Sequence, residues 1–169
     1  EGKFDAAESF ARHTRLVTDA RNLTSRSGDA FSLILDPTPV GYHLADLLIN
    51  QIPELAETHA RVRGTGAKVL ADGVATPEEL SQLQAILELA ADRQSHITRV
   101  YEILRSQDPA VAARIEAQIG KVASAQRAVA DSVAAMRTGA VPAAQNFFVL
   151  ATEPVVDSFE LSKVGTDAL

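Results

Sequence analysis

Four histidines and twenty-two carboxylates are the residues most able to bind a metal or transfer protons in this chain. No two histidines lie at i and i+4, and no His-Glu-x-x-His motif occurs, so the spacing does not predict a zinc site. The carboxylates lack the Glu and Glu-x-x-His sets that hold two irons in a helical bundle. Phosphate-binding glycine loops and the Gly-x-Ser-x-Gly elbow are also missing from the sequence. We therefore predict no metal, no cofactor and no catalytic set, and histidines that are solvated or lie at the edge of the core.

A small polar cluster lies at the predicted start of the second helix. Tyr42 and Asp46 are four residues apart and so share a helical face, and His43 lies beside them. One interpretation is a helix start with an exposed acidic side chain near the positive end of the helix dipole. The other is a small-ligand site with an arginine as the anion partner. The candidate arginines are Arg61, Arg63 and Arg93.

Two glutamines interrupt the apolar seams of the third and fourth predicted helices. Gln94 and Gln126 each replace an apolar residue near the centre of a seam, and antiparallel packing places them within about one turn of each other. Such a polar pair fixes the register of two helices by a hydrogen bond in some bundles. The alternative is that both residues bind a ligand, and the sequence leaves the two interpretations open.

The two helices that carry these glutamines have the clearest pattern in the chain. Thr76-Pro77-Glu78-Glu79 predicts a capping box that opens the third helix, and Asp108-Pro109 predicts the cap of the fourth. Apolar residues recur at alternating spacings of three and four, which is the heptad pattern of long bundles. The third-helix seam comprises Leu80, Leu83, Leu87, Ala90, Gln94, Ile97, Tyr101 and Leu104. The fourth-helix seam comprises Ala112, Ile115, Ile119, Val122, Gln126, Val129, Val133 and Met136.

The remaining helices are predicted from caps, breakers and weaker periodicity. The first covers residues 3 to about 33, with Leu16, Val17 and Leu23 among its apolar positions. The second covers about 38 to 71, after an Asp36-Pro37 cap, and Pro53 should bend it or weaken one turn. In the final segment the predicted seam is Ala144, Phe148, Ala151, Val155, Ser158, Ser162, Gly165 and Leu169.

The fold class that follows is all-α, an antiparallel up-down helical bundle of four long rods forming one domain over residues 1–169. The pattern breaks near Gly139–Pro142, where we favour a kink that lets residues 142–168 continue the fourth rod rather than a turn. Four rods bring both chain ends to one end of the bundle, as a domain looped between two membrane spans requires. Few aromatic residues (5%) and abundant alanine agree with slender, closely packed helices.

Charge and composition narrow the class of partner. The net charge is −6, and no basic patch of the kind that binds nucleic acid is present. Without cysteine the chain forms no disulfide and no thiolate metal site. Apolar runs stay shorter than the roughly 20 residues of a membrane span. Because the sequence starts without methionine and inside a helical pattern, we expect a segment of a longer protein.

One segment of the sequence resembles a known family. Within residues 34–55, the resemblance rests on Leu35, Asp36, Pro37, Tyr42, Leu44, Asp46, Pro53, Glu54 and Leu55. This arrangement, followed by residues 61–67, resembles the helical-bundle sensor domains of bacterial transmembrane signalling proteins, namely sensor histidine kinases and chemoreceptors. The resemblance covers about a quarter of the chain.

The resemblance implies a periplasmic, extracytoplasmic sensing domain of an inner-membrane receptor, with a transmembrane helix on each side in the parent protein. It also implies a homodimer that responds to a small-molecule ligand or to a periplasmic binding protein. Tyr42, His43, Asp46, Arg63, Gln94 and Gln126 are the candidate ligand-binding residues. The alternative is a soluble helical adaptor that binds a partner protein in a groove. A bundle enzyme is the third hypothesis, which the missing catalytic set disfavours.

Overall fold

The computed structural model describes residues 5–30, 32, 37–71 and 73–168, and no β-strand occurs among them. The all-α prediction is therefore confirmed. The helices are α1 (Ala6–Ala30), α2 (Pro39–Asp46), α3 (Ile52–Leu70), α4 (Pro77–Gln107), α5 (Pro109–Met136), α6 (Ala144–Leu150) and α7 (Glu153–Thr166). A π-helical turn (Leu47–Gln51) joins α2 to α3.

Helices α4 and α5 form as the sequence predicts. Thr76 and Glu79 make the reciprocal capping box at the start of α4, and the Asp108 side chain accepts from the backbone N–H groups of Ala110 and Val111 at the start of α5. All sixteen predicted seam residues are buried. The two helices pack against each other along their length because a single residue, Asp108, connects them.

The second rod differs from the prediction at its start. Thr38 is the cap and accepts from the N–H of Gly41, with Pro39 as the first helical residue. The predicted cap, Asp36, lies outside the described residues. The prediction of a disturbed turn before Pro53 is confirmed, since the π-helical turn directly precedes it. Proline lacks an N–H and its ring crowds the carbonyl four residues back, so a wider turn relieves this position.

The break near Gly139–Pro142 is a turn, and the predicted kink is wrong. Gly139 has a φ of +91°, and the chain then reverses direction. Gln118 of α5 hydrogen-bonds to Asp157 of α7, and Arg114 hydrogen-bonds to the Asp167 carbonyl, so the two helices are antiparallel. Residues 144–166 therefore form a rod of their own between α5 and α3.

The reversal also corrects the number of rods, which is five among the described residues. Helix α1 contacts the remaining helices chiefly at the π-helical turn, and its Leu16 and Leu23 are 66% and 67% exposed. The apolar face predicted for this helix is therefore exposed at both positions. The sequence also predicts apolar positions of this helix at Phe4 and Phe31, and both lie outside the described residues.

The phase of the last rod is shifted by one residue near its start. Phe147 is fully buried whereas the predicted seam residue Phe148 is 40% exposed. The Phe147 ring lies against Gly66 of α3, where a Cβ atom would overlap the ring. Gly66 therefore provides the close helix contact that only a glycine allows at this distance. Leu169, the last predicted seam residue, lies outside the described residues.

Candidate functional site

A layer of buried polar side chains divides the core into two apolar clusters. One cluster includes Leu55, Val122 and Leu161, and the other includes Val62, Val129 and Ala151. Between them lie His59 of α3, Gln126 of α5 and Ser158 of α7, which are 2%, 9% and 0% exposed. We call these three residues the polar layer. It joins three rods by hydrogen bonds between the two apolar clusters.

His59 is the central residue of the polar layer. Its Nε2 lies 3.0 Å from Oε1 of Gln126, and its Nδ1 lies 3.2 Å from the carbonyl oxygen of Pro154. Burial lowers the pKa of His59, although the hydrogen bonds to Gln126 and Pro154 oppose the shift. A neutral ring donates from one nitrogen only, so a neutral His59 that donates to Pro154 needs the Gln126 amide to present its NH₂ group to Nε2.

The prediction that His59 is solvated or lies at the edge of the core is wrong. Leu55, His59 and Val62 follow the same four-then-three spacing as the apolar seams, which places the histidine on the buried face of α3. That spacing was the signal that could have located it. The Ser158 hydroxyl lies 3.3 Å from His59 Nδ1 but donates to the Pro154 carbonyl at 2.6 Å. Ser158 is also completely buried. Its hydroxyl is therefore not an activated nucleophile that a substrate could reach.

The two glutamines do not form the predicted pair. Gln126 hydrogen-bonds to His59, while neither polar atom of the Gln94 amide has a hydrogen-bond partner among the described residues. Gln94 lies between Ala90 and Ile97 of the first apolar cluster, and is 7% exposed. The structure thus places Gln126 in the polar layer and Gln94 in apolar surroundings.

The Tyr42, His43 and Asp46 cluster forms without an arginine. The rings of Tyr42 and His43 meet edge to face at 5.2 Å. Asp46 accepts hydrogen bonds from Asn50 at 2.8 Å and from Gln51 at 3.2 Å, and so binds the side chains of the π-helical turn. Tyr42 is 43% exposed. The local geometry is that of a polar helix start that supports an irregular turn.

The candidate arginines lie elsewhere. Arg63 is 17 residues beyond Asp46, about 26 Å along the rod at helical rise. Its guanidinium lies 4.9 Å from the centre of the Phe148 ring, and it donates to the Thr152 hydroxyl at 3.4 Å. Arg61 is exposed. Arg93 forms an ion pair with Glu54.

Glu54 is the residue that ties α1 to the other rods. It accepts from Arg21 of α1 at 2.9 Å and also forms an ion pair with Arg93 of α4. Two turns further along α1, a Cβ atom on Gly28 would come within 2.7 Å of Ile49 in the π-helical turn. Sequence reasoning missed this junction, because the segment 31–36 between the helices gives no signal of how α1 packs.

The described residues contain no group of three or more His, Asp or Glu side chains that could hold a metal ion. Among the described helices, none combines the length and hydropathy that crossing a bilayer requires. Comparisons with protein-family models, curated proteins and solved structures give no match for this chain.

Proposed function

We propose that this chain is the extracytoplasmic sensing domain of a bacterial transmembrane receptor, either a sensor histidine kinase or a chemoreceptor. The observation that carries the proposal is the position of the π-helical turn. It lies within the segment 34–55 that resembles this family, and it contacts α1, α4 and α7. The segment that carries the resemblance therefore also contains Ile49 and Glu54, through which α1 is joined to the other helices.

The attachment of α1 suggests how a signal would pass. Helix α1 contacts the other rods chiefly around Gly28–Ile49 and Arg21–Glu54, so a change at this junction would move α1 without unfolding the core. The other four rods act in this proposal as an up-down bundle, held in register by the polar layer. A ligand or a binding protein shifts α1 only by the difference in its affinity for the two positions. The shift would then reach the cytoplasmic part of the receptor through a transmembrane helix.

The proposal assigns signalling, not catalysis, to this domain. Its location would be periplasmic, and its output would depend on domains elsewhere in the parent protein. Homodimerisation is part of the proposal, as an exposed apolar stripe on α6 and α7 gives a second copy a surface to bind. The stripe consists of Phe148, Val149, Val156 and Phe159, which are 40%, 56%, 52% and 64% exposed.

The same stripe favours a second candidate, a helical adaptor that binds a partner protein. Exposed apolar residues grouped on one helical rod are typical of a protein interface. The two candidates differ in the parent sequence. A sensor predicts an apolar run of roughly 20 residues on each side of this domain, whereas an adaptor predicts polar flanks.

Reading the codons on both sides of this segment is the test. The C-terminal ends of α1 and α7 lie at the same end of the bundle, near Ile49 and Leu48. The sensor proposal therefore predicts a further helix of about 25 residues after α7, about 37 Å long, that returns to the membrane before the second apolar run. If both runs are missing, the sensor proposal is rejected and the adaptor replaces it.

A further inference from the structure

A polar cleft opens where α1 meets the π-helical turn. Its volume is about 210 Å³, and at about 30 Å³ per molecule it would hold about seven waters. Helix α1 contributes Thr18, Asn22 and Ser25, and the facing rod contributes Asn50 and Glu54. Hydroxyl and amide groups therefore face one another across the junction that joins α1 to the other rods.

At this cleft two positively charged side chains meet one negatively charged side chain. Arg21 lines the cleft and pairs with Oε1 of Glu54, whose Oε2 is paired with Arg93. Two guanidinium groups thus share one carboxylate. A second carboxylate arriving in the cleft could bind Arg21 while Glu54 kept Arg93, so the exchange would leave no charge unpaired. Arginine is suited to this role because its planar fork binds carboxylates through two parallel hydrogen bonds.

The neutral groups define the rest of the ligand. Asn50 donates through Nδ2 to Asp46 at 2.8 Å, which leaves its amide oxygen as the acceptor for a hydroxyl or ammonium group. Asn22 and Ser25 add donors and acceptors on the α1 side, and Thr18, whose hydroxyl donates to the Thr14 carbonyl, adds an acceptor. An anion without such a group, such as acetate, would fill less of the cleft and leave these partners unused.

We propose that this cleft binds a small carboxylate that also carries a hydroxyl or amino group, with Arg21 on the carboxylate. This inference deepens the proposed function, because the cleft lies at the junction through which α1 would transmit a signal. A ligand of roughly six to nine non-hydrogen atoms matches the volume. Bound there, it contacts α1 and the π-helical turn at once and fixes their relative position.

The test is a titration of the ¹⁵N-labelled chain with D-glycerate, L-serine and L-malate at constant ionic strength, followed by NMR and calorimetry. We expect at least one of these probes to shift the side-chain amide signals of Asn22 and Asn50, and acetate to bind more weakly. Arg21→Gln should raise the Kd of that probe about tenfold or more, because a charge-assisted contact is lost. Arg26→Gln is the matched control on the exposed surface of α1 and should leave the Kd unchanged.

Arg21→Gln also breaks the ion pair with Glu54, so Asn22→Ala provides a variant that keeps this pair and should weaken binding severalfold. The proposal is overturned if none of the three probes shifts these signals, or if sulfate produces the same shifts as the responding probe. It is also overturned if Arg21→Gln and Asn22→Ala both bind as the unmodified chain does. These results are separate from the flanking sequence: apolar flanks without binding would leave a sensor with another input, and binding without apolar flanks would reject only the membrane receptor.

Discussion

His59 Nε2 lies 3.0 Å from Oε1 of Gln126, and this contact joins α3 to α5 across the centre of the core. The Ser158 hydroxyl and the Pro154 carbonyl of α7 lie at the other ring nitrogen, Nδ1. Three rods thus share one imidazole, and its protonation affects all three.

The stability of the fold should depend on pH through His59. Burial lowers its pKa below the ordinary value of 6.5, so the unfolded chain takes up a proton that the folded chain resists. The contribution of neutral His59 to the free energy of unfolding is therefore fully present above about pH 6.5. It is lost as the pH falls from there to the lowered pKa. Urea unfolding at several values between pH 5 and 7.5 should show this loss, with a slope of at most about 1.4 kcal/mol per pH unit.

The contribution of His59 is isolated by comparison with His59→Gln, which should remove this part of the pH dependence. His13→Gln, on the exposed surface of α1, is the control and should retain it. An unchanged pH profile in His59→Gln would show that His59 does not resist protonation in the folded chain.

Two adjacent phenylalanines should respond very differently to truncation. Phe147 is fully buried against Gly66, whereas Phe148 is 40% exposed beside Arg63. Phe147→Ala should therefore destabilise the fold by about 3–5 kcal/mol, and Phe148→Ala by less than about 1 kcal/mol. Chemical denaturation followed by circular dichroism measures both. The reverse order of effects would show that the last rod has the phase predicted from sequence.

Two glycines on α3 form a second matched pair. A Cβ atom on Gly66 would overlap the Phe147 ring, whereas nothing lies within 4 Å of a Cβ atom on Gly64. Gly66→Ala should lower the free energy of unfolding by about 1–3 kcal/mol through overpacking. Gly64→Ala should raise it by about 0.5–1 kcal/mol, because alanine favours the helix. Melting temperatures that move in the same direction for both variants would contradict this contact.

The junction of α1 should weaken when Glu54 is neutralised. Glu54→Gln removes the carboxylate that Arg21 and Arg93 share. Because these side chains are partly exposed, the global stability should fall by no more than about 1 kcal/mol. Amide exchange in α1 should nevertheless become faster in this variant. Exchange in α4 and α5 should not change, because their seams are unaffected. Glu57→Gln, one turn further along α3, is the control and should leave α1 exchange unchanged.

The sequence predictions were accurate where the signal came from residues close together in the chain, and less accurate where it depended on distant residues. The caps at Thr76 and Asp108, and the seams of α4 and α5, depend on residues within a few positions of one another, and all were correct. The direction of the chain after Gly139 depends instead on the fit of Phe147 against Gly66, more than 70 residues away. Neighbouring phenylalanines also leave the phase of that rod ambiguous by one residue.

The candidate site was predicted less well, and for related reasons. Gln126 was located correctly, but its partner His59 comes from another rod, and a pairing between rods has no signature in a single sequence. The junction of Arg21 with Glu54 is likewise a contact between two rods. No periodicity within α1 indicates this contact.

The π-helical turn determines how the second rod would respond to the loss of one residue. Its hydrogen bond from Ile52 to Leu47 encloses one residue more than an α-helical turn does. Deleting one residue between Leu47 and Gln51 would restore a regular helix and leave the phase of α2 relative to α3 nearly unchanged, because the π-helical turn accommodates its extra residue locally. Leu48 faces Gly165 of α7 and Ile49 faces Gly28 of α1, so the deletion would act on the side chains of the turn that meet these two glycines. A single-codon deletion here would therefore alter the docking of α1 and α7 at the turn while leaving the orientation of α2 and the sequence of every other helix intact.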